Sequence, residues 1–92
     1  MKKITFFYLE RCPYCKNARK AMDELKAEDA RYGALEMDWV EESKQPDVAD
    51  RYDYYSVPTM FIGSEKLYEA SQGESYDDCK ANVKRVFEAA LA

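Results

Sequence analysis

The chain has 92 residues, 47% of them hydrophobic and 35% charged, with a formal net charge of −4. That length suits one compact domain spanning residues 1–92, and the apolar share excludes a disordered chain. The mildly acidic balance, 14 Lys and Arg against 18 Asp and Glu, provides no basic face for phosphates, so nucleic acid is excluded as the main partner.

The start, Met1-Lys2-Lys3-Ile4-Thr5-Phe6-Phe7-Tyr8-Leu9, puts two cations before a short apolar stretch. Glu10 and Arg11 interrupt it and no small-residue cleavage site follows, so residues 3–9 read as a buried strand and not as a signal peptide. No apolar run reaches the roughly 18 residues that span a bilayer, so no membrane association is expected. From Pro13 to Glu28 the period becomes helical: Cys15, Ala18, Met22 and Leu25 share a stripe, and Lys16, Arg19, Lys20, Asp23 and Lys26 fall off it. Gly33 marks a turn, and residues 34–40 read as a second strand.

Pro46 opens a short helix to about Tyr52, since proline at a first helical position loses no hydrogen bond. Thr59–Ile62 and residues 66–70 flank Gly63-Ser64-Glu65 as a hairpin. Ser75 is a good N-cap for a last helix, whose apolar face is Tyr76, Cys79, Val83, Val86, Phe87 and Ala90. The order β-α-β-α-β-β-α combines a right-handed parallel βαβ unit with an antiparallel hairpin and a closing helix. A four-stranded mixed α/β sheet with helices on both faces satisfies it.

Three cysteines, one close pair and one leftover, do not form a secreted disulfide framework; they point to a redox pair in a cytoplasmic protein. The pair, Cys12-Pro13-Tyr14-Cys15, lies between the first strand and the first helix. Cys12 is placed at the N-cap and Pro13 at the first helical position, so the amides of Tyr14 and Cys15 are expected to face the Cys12 sulfur. Hydrogen bonds and the positive end of the helix dipole favour a thiolate there, and the thiolate is the attacking species in disulfide exchange. Cys15 follows one turn later on the apolar stripe, close enough for the two sulfurs to bond. Cys12 is therefore the expected nucleophile and Cys15 the resolving thiol. Tyr14 is expected to be exposed beside Cys12, lining the substrate groove.

Other readings weigh less. A zinc site needs two ligands beyond this pair, and the chain has no histidine and one further cysteine, so no metal is expected. Cys79 lies on a core stripe and reads as a buried apolar residue. Trp39 and the tyrosines read as core and rim packing. Glu41-Glu42 and Asp77-Asp78 read as solvated faces or helix-start charges.

Cys-Pro-Tyr-Cys resembles the dithiol active site of glutaredoxins. Pro46, Ala49, Tyr52, Tyr54, Val57, Pro58 and Thr59 resemble the segment that leads thioredoxins into their Val-Pro-Thr motif, and the match runs on through the hairpin to Gly73 and the last helix. The resemblance implies a thioredoxin-like fold and a thiol–disulfide oxidoreductase reducing protein or glutathione mixed disulfides. It implies a cis Val57–Pro58 bond beside the cysteine pair, with the Val57 N–H and C=O free to pair with an extended substrate like an added strand. Arg11, Pro13, Tyr14, Val57, Pro58 and Thr59 are then the substrate-binding residues.

Departures from both families are visible. Phe6 stands where thioredoxins keep a buried carboxylate, and Arg11 where they have tryptophan. Ser71-Gln72-Gly73-Glu74-Ser75 replaces the double-glycine loop that holds glutathione in glutaredoxins. Arg11, Lys16 and the helix start at Ser75 and Tyr76 are the remaining candidates for glutathione carboxylates, with Glu74 opposing them. No bound cofactor is expected, with glutathione as a co-substrate. The expected protein is a monomer regenerated by glutathione or by a flavin-dependent thioredoxin reductase. A non-catalytic module using the cleft beside Pro58 is the alternative from another class. An iron–sulfur carrier bridging two protomers through Cys12 is disfavoured by the stiff Pro13 loop and the competing second thiol.

Overall fold

In the computed structural model, which describes all 92 residues, the chain forms strand β1 (Ile4–Tyr8), helix α1 (Pro13–Glu28) and a short 3-10 helix (Ala30–Ala34). Strand β2 (Met37–Glu41), helix α2 (Pro46–Ala49), strands β3 (Thr59–Ile62) and β4 (Glu65–Glu69), and helix α3 (Tyr76–Leu91) follow. The four strands form one sheet in the order β2-β1-β3-β4. β1 runs parallel to β2, with Phe6 opposite Trp39, and antiparallel to β3, with Phe7 opposite Thr59. β3 and β4 form the antiparallel hairpin, and a register shift follows the Met60–Tyr68 pair. Gly63 turns it at a φ of 60°, in the left-handed region that disfavours other residues.

The period of two in the strands divides the core. Ile4, Phe6, Met60 and Tyr68 face one side, where Ala18, Ala21, Met22 and Leu25 of α1 and Cys79, Val83, Val86, Phe87 and Ala90 of α3 close over them. Phe7, Val40 and Phe61 face the other side, beneath Val48, Ala49, Tyr52 and Tyr54. The fold is thus the predicted four-stranded mixed sheet with helices on both faces, and α1 has the predicted bounds.

Three elements, β2, α2 and β4, have bounds that differ from the sequence reading. β2 begins at Met37, not at Ala34, because residues 30–34 wind into the 3-10 turn. Asp29 caps that turn by accepting the Arg31 N–H at 3.0 Å, and it delivers Tyr32 into the core, where its hydroxyl donates to Glu88. Helix α2 ends at Ala49, three residues short of Tyr52. Tyr52 leaves the helical path to pack its ring 4.7 Å from Phe7 and 4.9 Å from Phe61, and aromatic burial there outweighs one more helical turn. Strand β4 is displaced by one residue, starting at Glu65.

Candidate active site at the start of the first helix

The C-terminal end of β1 delivers the chain into a tight turn, where the Cys12 N–H donates to the Leu9 carbonyl at 3.2 Å. Cys12 is the N-cap of α1 with extended backbone, Pro13 is the first helical residue, and the Cys12 carbonyl accepts the Lys16 N–H at 3.0 Å. The placement is as predicted; the sulfur's partner is not. No side-chain cap forms at Cys12. The Tyr14 and Cys15 amides do not receive the sulfur, which instead donates its S–H to the Val57 carbonyl at 3.8 Å. In the thiol form the S–H proton seeks an acceptor, and a carbonyl supplies one where an N–H cannot.

Cys15 is fully buried, and its sulfur accepts the Leu9 N–H at 3.4 Å. Burial, ahead of the neighbouring Cys12 thiol, pushes the Cys15 pKa up to about 12 against the opposing pull of the Leu9 amide. All three cysteines are free thiols. Phe6 has no exposed surface and stacks on Tyr8 at 5.2 Å, so an aromatic ring fills the sequence position at which the resemblance to thioredoxins would put a carboxylate.

The Val57–Pro58 peptide is cis, as the resemblance implied. Its loop lies against β4, since the Ala70 N–H donates to the Pro58 carbonyl at 3.0 Å and the Thr59 hydroxyl to the Ser56 carbonyl. Pro58 and Thr59 are buried, and Val57 is half-buried. Tyr14 is also half-buried and not exposed: its hydroxyl accepts the Gly73 N–H at 2.8 Å, folding the ring across to the loop after β4. Tyr14, Ser56, Val57, Ala70, Ser71 and Gln72 line a depression of about 390 Å³. A second, of about 490 Å³, includes Cys12 among Leu9, Glu10, Arg11, Glu41, Ser43 and Lys44.

Arg11, Pro13 and Lys16 are exposed, and neither cation belongs to an ion pair. Ser75 caps α3 in a closed box: its hydroxyl accepts the Asp78 N–H at 3.0 Å, and its own N–H donates to Asp78 Oδ2 at 3.4 Å. The Tyr76 hydroxyl donates to Glu24 at 2.5 Å under Lys20, on the side of α3 that meets α1. Cys79 is buried as predicted, beside the Tyr68 hydroxyl at 3.4 Å, and burial raises its pKa.

The sequence reading missed two carboxylates near the site. Glu41 is 7% exposed and not a solvated charge: it accepts the Glu10 N–H at 3.3 Å, the Ser43 N–H at 2.7 Å and the Ser43 hydroxyl at 2.6 Å. Glu69, read simply as a strand residue, accepts two amides of the loop before Val57. Alternation along β2 puts Val40 and Glu41 on opposite faces, which is compatible with a solvated Glu41 and gives no hint of its donors.

A cysteine pair at the first helix of such a sheet, facing a cis-proline loop, defines a thioredoxin-fold protein. Solved structures agree on the fold. Thioredoxin 1 from Thermosipho africanus is 15% identical with a TM-score of 0.59, covering 98% of this chain and 99% of that one. The germline-specific thioredoxin Deadhead from Drosophila melanogaster is 13% identical with a TM-score of 0.63, covering 95% and 78%. A malarial protein is 22% identical with a TM-score of 0.59, covering 90% and 93%. No curated protein matches the chain by sequence. The family model for glutaredoxin matches residues 4–67, well over half of the chain, which therefore belongs to the glutaredoxin family. It is a thiol–disulfide oxidoreductase carrying the family's Cys-x-x-Cys pair.

Proposed function

We propose that Cys12 attacks the disulfide of a protein or of a glutathione mixed disulfide and that Cys15 resolves the intermediate. The Cys12 thiolate bonds to one substrate sulfur and displaces the other as a thiolate. Cys15 then gives up its proton and attacks the Cys12 sulfur, releasing the second substrate thiolate and closing a Cys12–Cys15 disulfide. Two electrons have passed to the substrate, and an external dithiol or two glutathione thiols restore the pair. The observation that carries this reading is the position of the half-buried Cys12 sulfur, 3.8 Å from the Val57 carbonyl with the fully buried Cys15 one turn behind. Val57 and Pro58, with Arg11, Pro13, Tyr14 and Thr59 around them, form the proposed substrate groove. The protein acts in this reading as a monomeric single domain in the cytoplasm, with no bound cofactor.

The donor divides the reading. Glutathione as co-substrate requires donors for two carboxylates, and Arg11, Lys16 and the amides at the start of α3 are the groups for that role. A reductase-served, thioredoxin-like activity is the second reading, and one observation favours it: the Gly73 amide is occupied by Tyr14 and the Ser75 amide by Asp78.

Cysteine variants test the reading. Cys12→Ser is expected to abolish turnover on every disulfide. Cys15→Ser is expected to stop protein-disulfide reduction and to leave a Cys12 mixed disulfide visible by intact mass. Turnover surviving in Cys12→Ser removes the assignment. Comparing a glutathione-coupled assay with a thioredoxin-reductase-coupled assay on the wild-type protein identifies the donor.

A further inference from the structure

The loop between α2 and β3 has no regular structure, yet it presents Val57 to the Cys12 sulfur at a defined distance. Glu69, the last residue of β4, holds this loop. One of its carboxylate oxygens accepts two successive amides, Tyr55 N–H at 2.5 Å and Ser56 N–H at 2.7 Å. The other oxygen accepts the Lys66 ammonium at 2.7 Å. Successive amides converging on one anion form a charge-assisted nest, stronger than neutral hydrogen bonds. Burial works against the charge, but Lys66 and the two amides outweigh it and hold the Glu69 pKa below the usual carboxylate range.

Among the amide donors of residues 55–57, Glu69 thus occupies two and only the Val57 N–H is left without an acceptor. The carbonyl side is fastened as well, Ser56 by the Thr59 hydroxyl and Pro58 by the Ala70 amide. The peptide groups of Val57, N–H open and C=O facing Cys12, are what remains for a substrate strand. We infer that Glu69 is a positioning residue for disulfide exchange, fixing Tyr55 and Ser56 so that the Val57 peptide pairs with an extended polypeptide substrate while its disulfide meets Cys12. An isolated Lys–Glu pair at i, i+3 contributes little by itself, so the role rests on the two amides. The inference rests on the dithiol reading above.

The test uses single-turnover oxidation of the reduced full chain over a range of substrate concentrations, with two substrates. One is a disulfide within an extended peptide; the other is hydroxyethyl disulfide, which has no backbone to pair. Glu69→Ala is expected to raise the half-saturating peptide concentration about tenfold, with the limiting rate changed less than about twofold. The second-order rate on hydroxyethyl disulfide stays at the wild-type value. Glu69→Gln keeps an acceptor oxygen without the charge and is expected to recover at least half of the loss on a logarithmic scale. Equal losses on both substrates, in Glu69→Ala or in Glu69→Gln should the alanine variant not fold, overturn the role. So does an unchanged half-saturation. Wild-type protein inert toward both substrates overturns the dithiol reading instead.

Discussion

Cys15 is a thiol held protonated by its surroundings. With no exposed surface and a pKa pushed up to about 12, chiefly by burial, it stays a thiol through the neutral and mildly alkaline range. Because alkylation requires the thiolate and access to it, iodoacetamide is expected to label the reduced, folded protein once, at Cys12. In a Cys12→Ser variant, labelling of the folded protein becomes at least about tenfold slower, and denaturant restores it. Peptide mapping reads this directly, and fast labelling of Cys15 in the folded variant contradicts it. The pair itself was legible in the sequence, since spacing, Pro13 and the strand-to-helix junction all converge there. The partner of the Cys12 sulfur was not, because the Val57 carbonyl is 45 residues away and no local rule points to it. Glu41 escaped for the same reason: its donors include the Glu10 amide, 31 residues distant, and a carboxylate without visible donors reads as solvated.

Element ends were readable where a local signal terminates them. α1 starts at Pro13 because proline fits a first helical turn, and its stripe of Cys15, Ala18, Met22 and Leu25 is the buried one. β2 starts three residues later than the apolar Ala34-Leu35 pair suggests, because the 3-10 turn runs one residue past Gly33 to Ala34, and the burial of Tyr32 that fixes this turn is visible only in three dimensions. α3 offers the sharpest local prediction. Ser75→Ala removes the hydroxyl that accepts the Asp78 amide and is expected to destabilise the protein by about 1 kcal/mol in denaturant unfolding. The same variant separates the two roles of the α3 start. A pure cap lowers the unfolding midpoint and leaves the half-saturating glutathione concentration in place, whereas a carboxylate site there raises that concentration as well.

Across the whole molecule, six buried or half-buried hydroxyls and thiols share one direction of shift. Burial comes first among the causes that raise the pKa values of Cys15 and Cys79, and of Tyr32, Tyr54, Tyr68 and Tyr76. Each of these tyrosines also donates its hydroxyl to a carboxylate: Glu88, Glu42, Glu74 and Glu24 respectively. A phenolate beside that carboxylate is opposed by like charge as well as by desolvation. The unfolded chain releases these protons near the ordinary thiol value of 9.0 and the ordinary tyrosine value of 10.0, while the folded chain keeps them. Above those values the folded state binds more protons than the unfolded one, so stability is full below about pH 9 and falls as pH rises through the folded values. The fall is expected to begin with the cysteines and steepen with the tyrosines. Closing the Cys12–Cys15 disulfide takes Cys15 out of the titration, so the oxidised protein should lose less over the first part of that range. Urea midpoints measured from neutral to alkaline pH at constant ionic strength, on both redox forms, check the slope and the difference. A flat profile, or one in which the oxidised form declines first, contradicts the assignment of these protons to the buried groups.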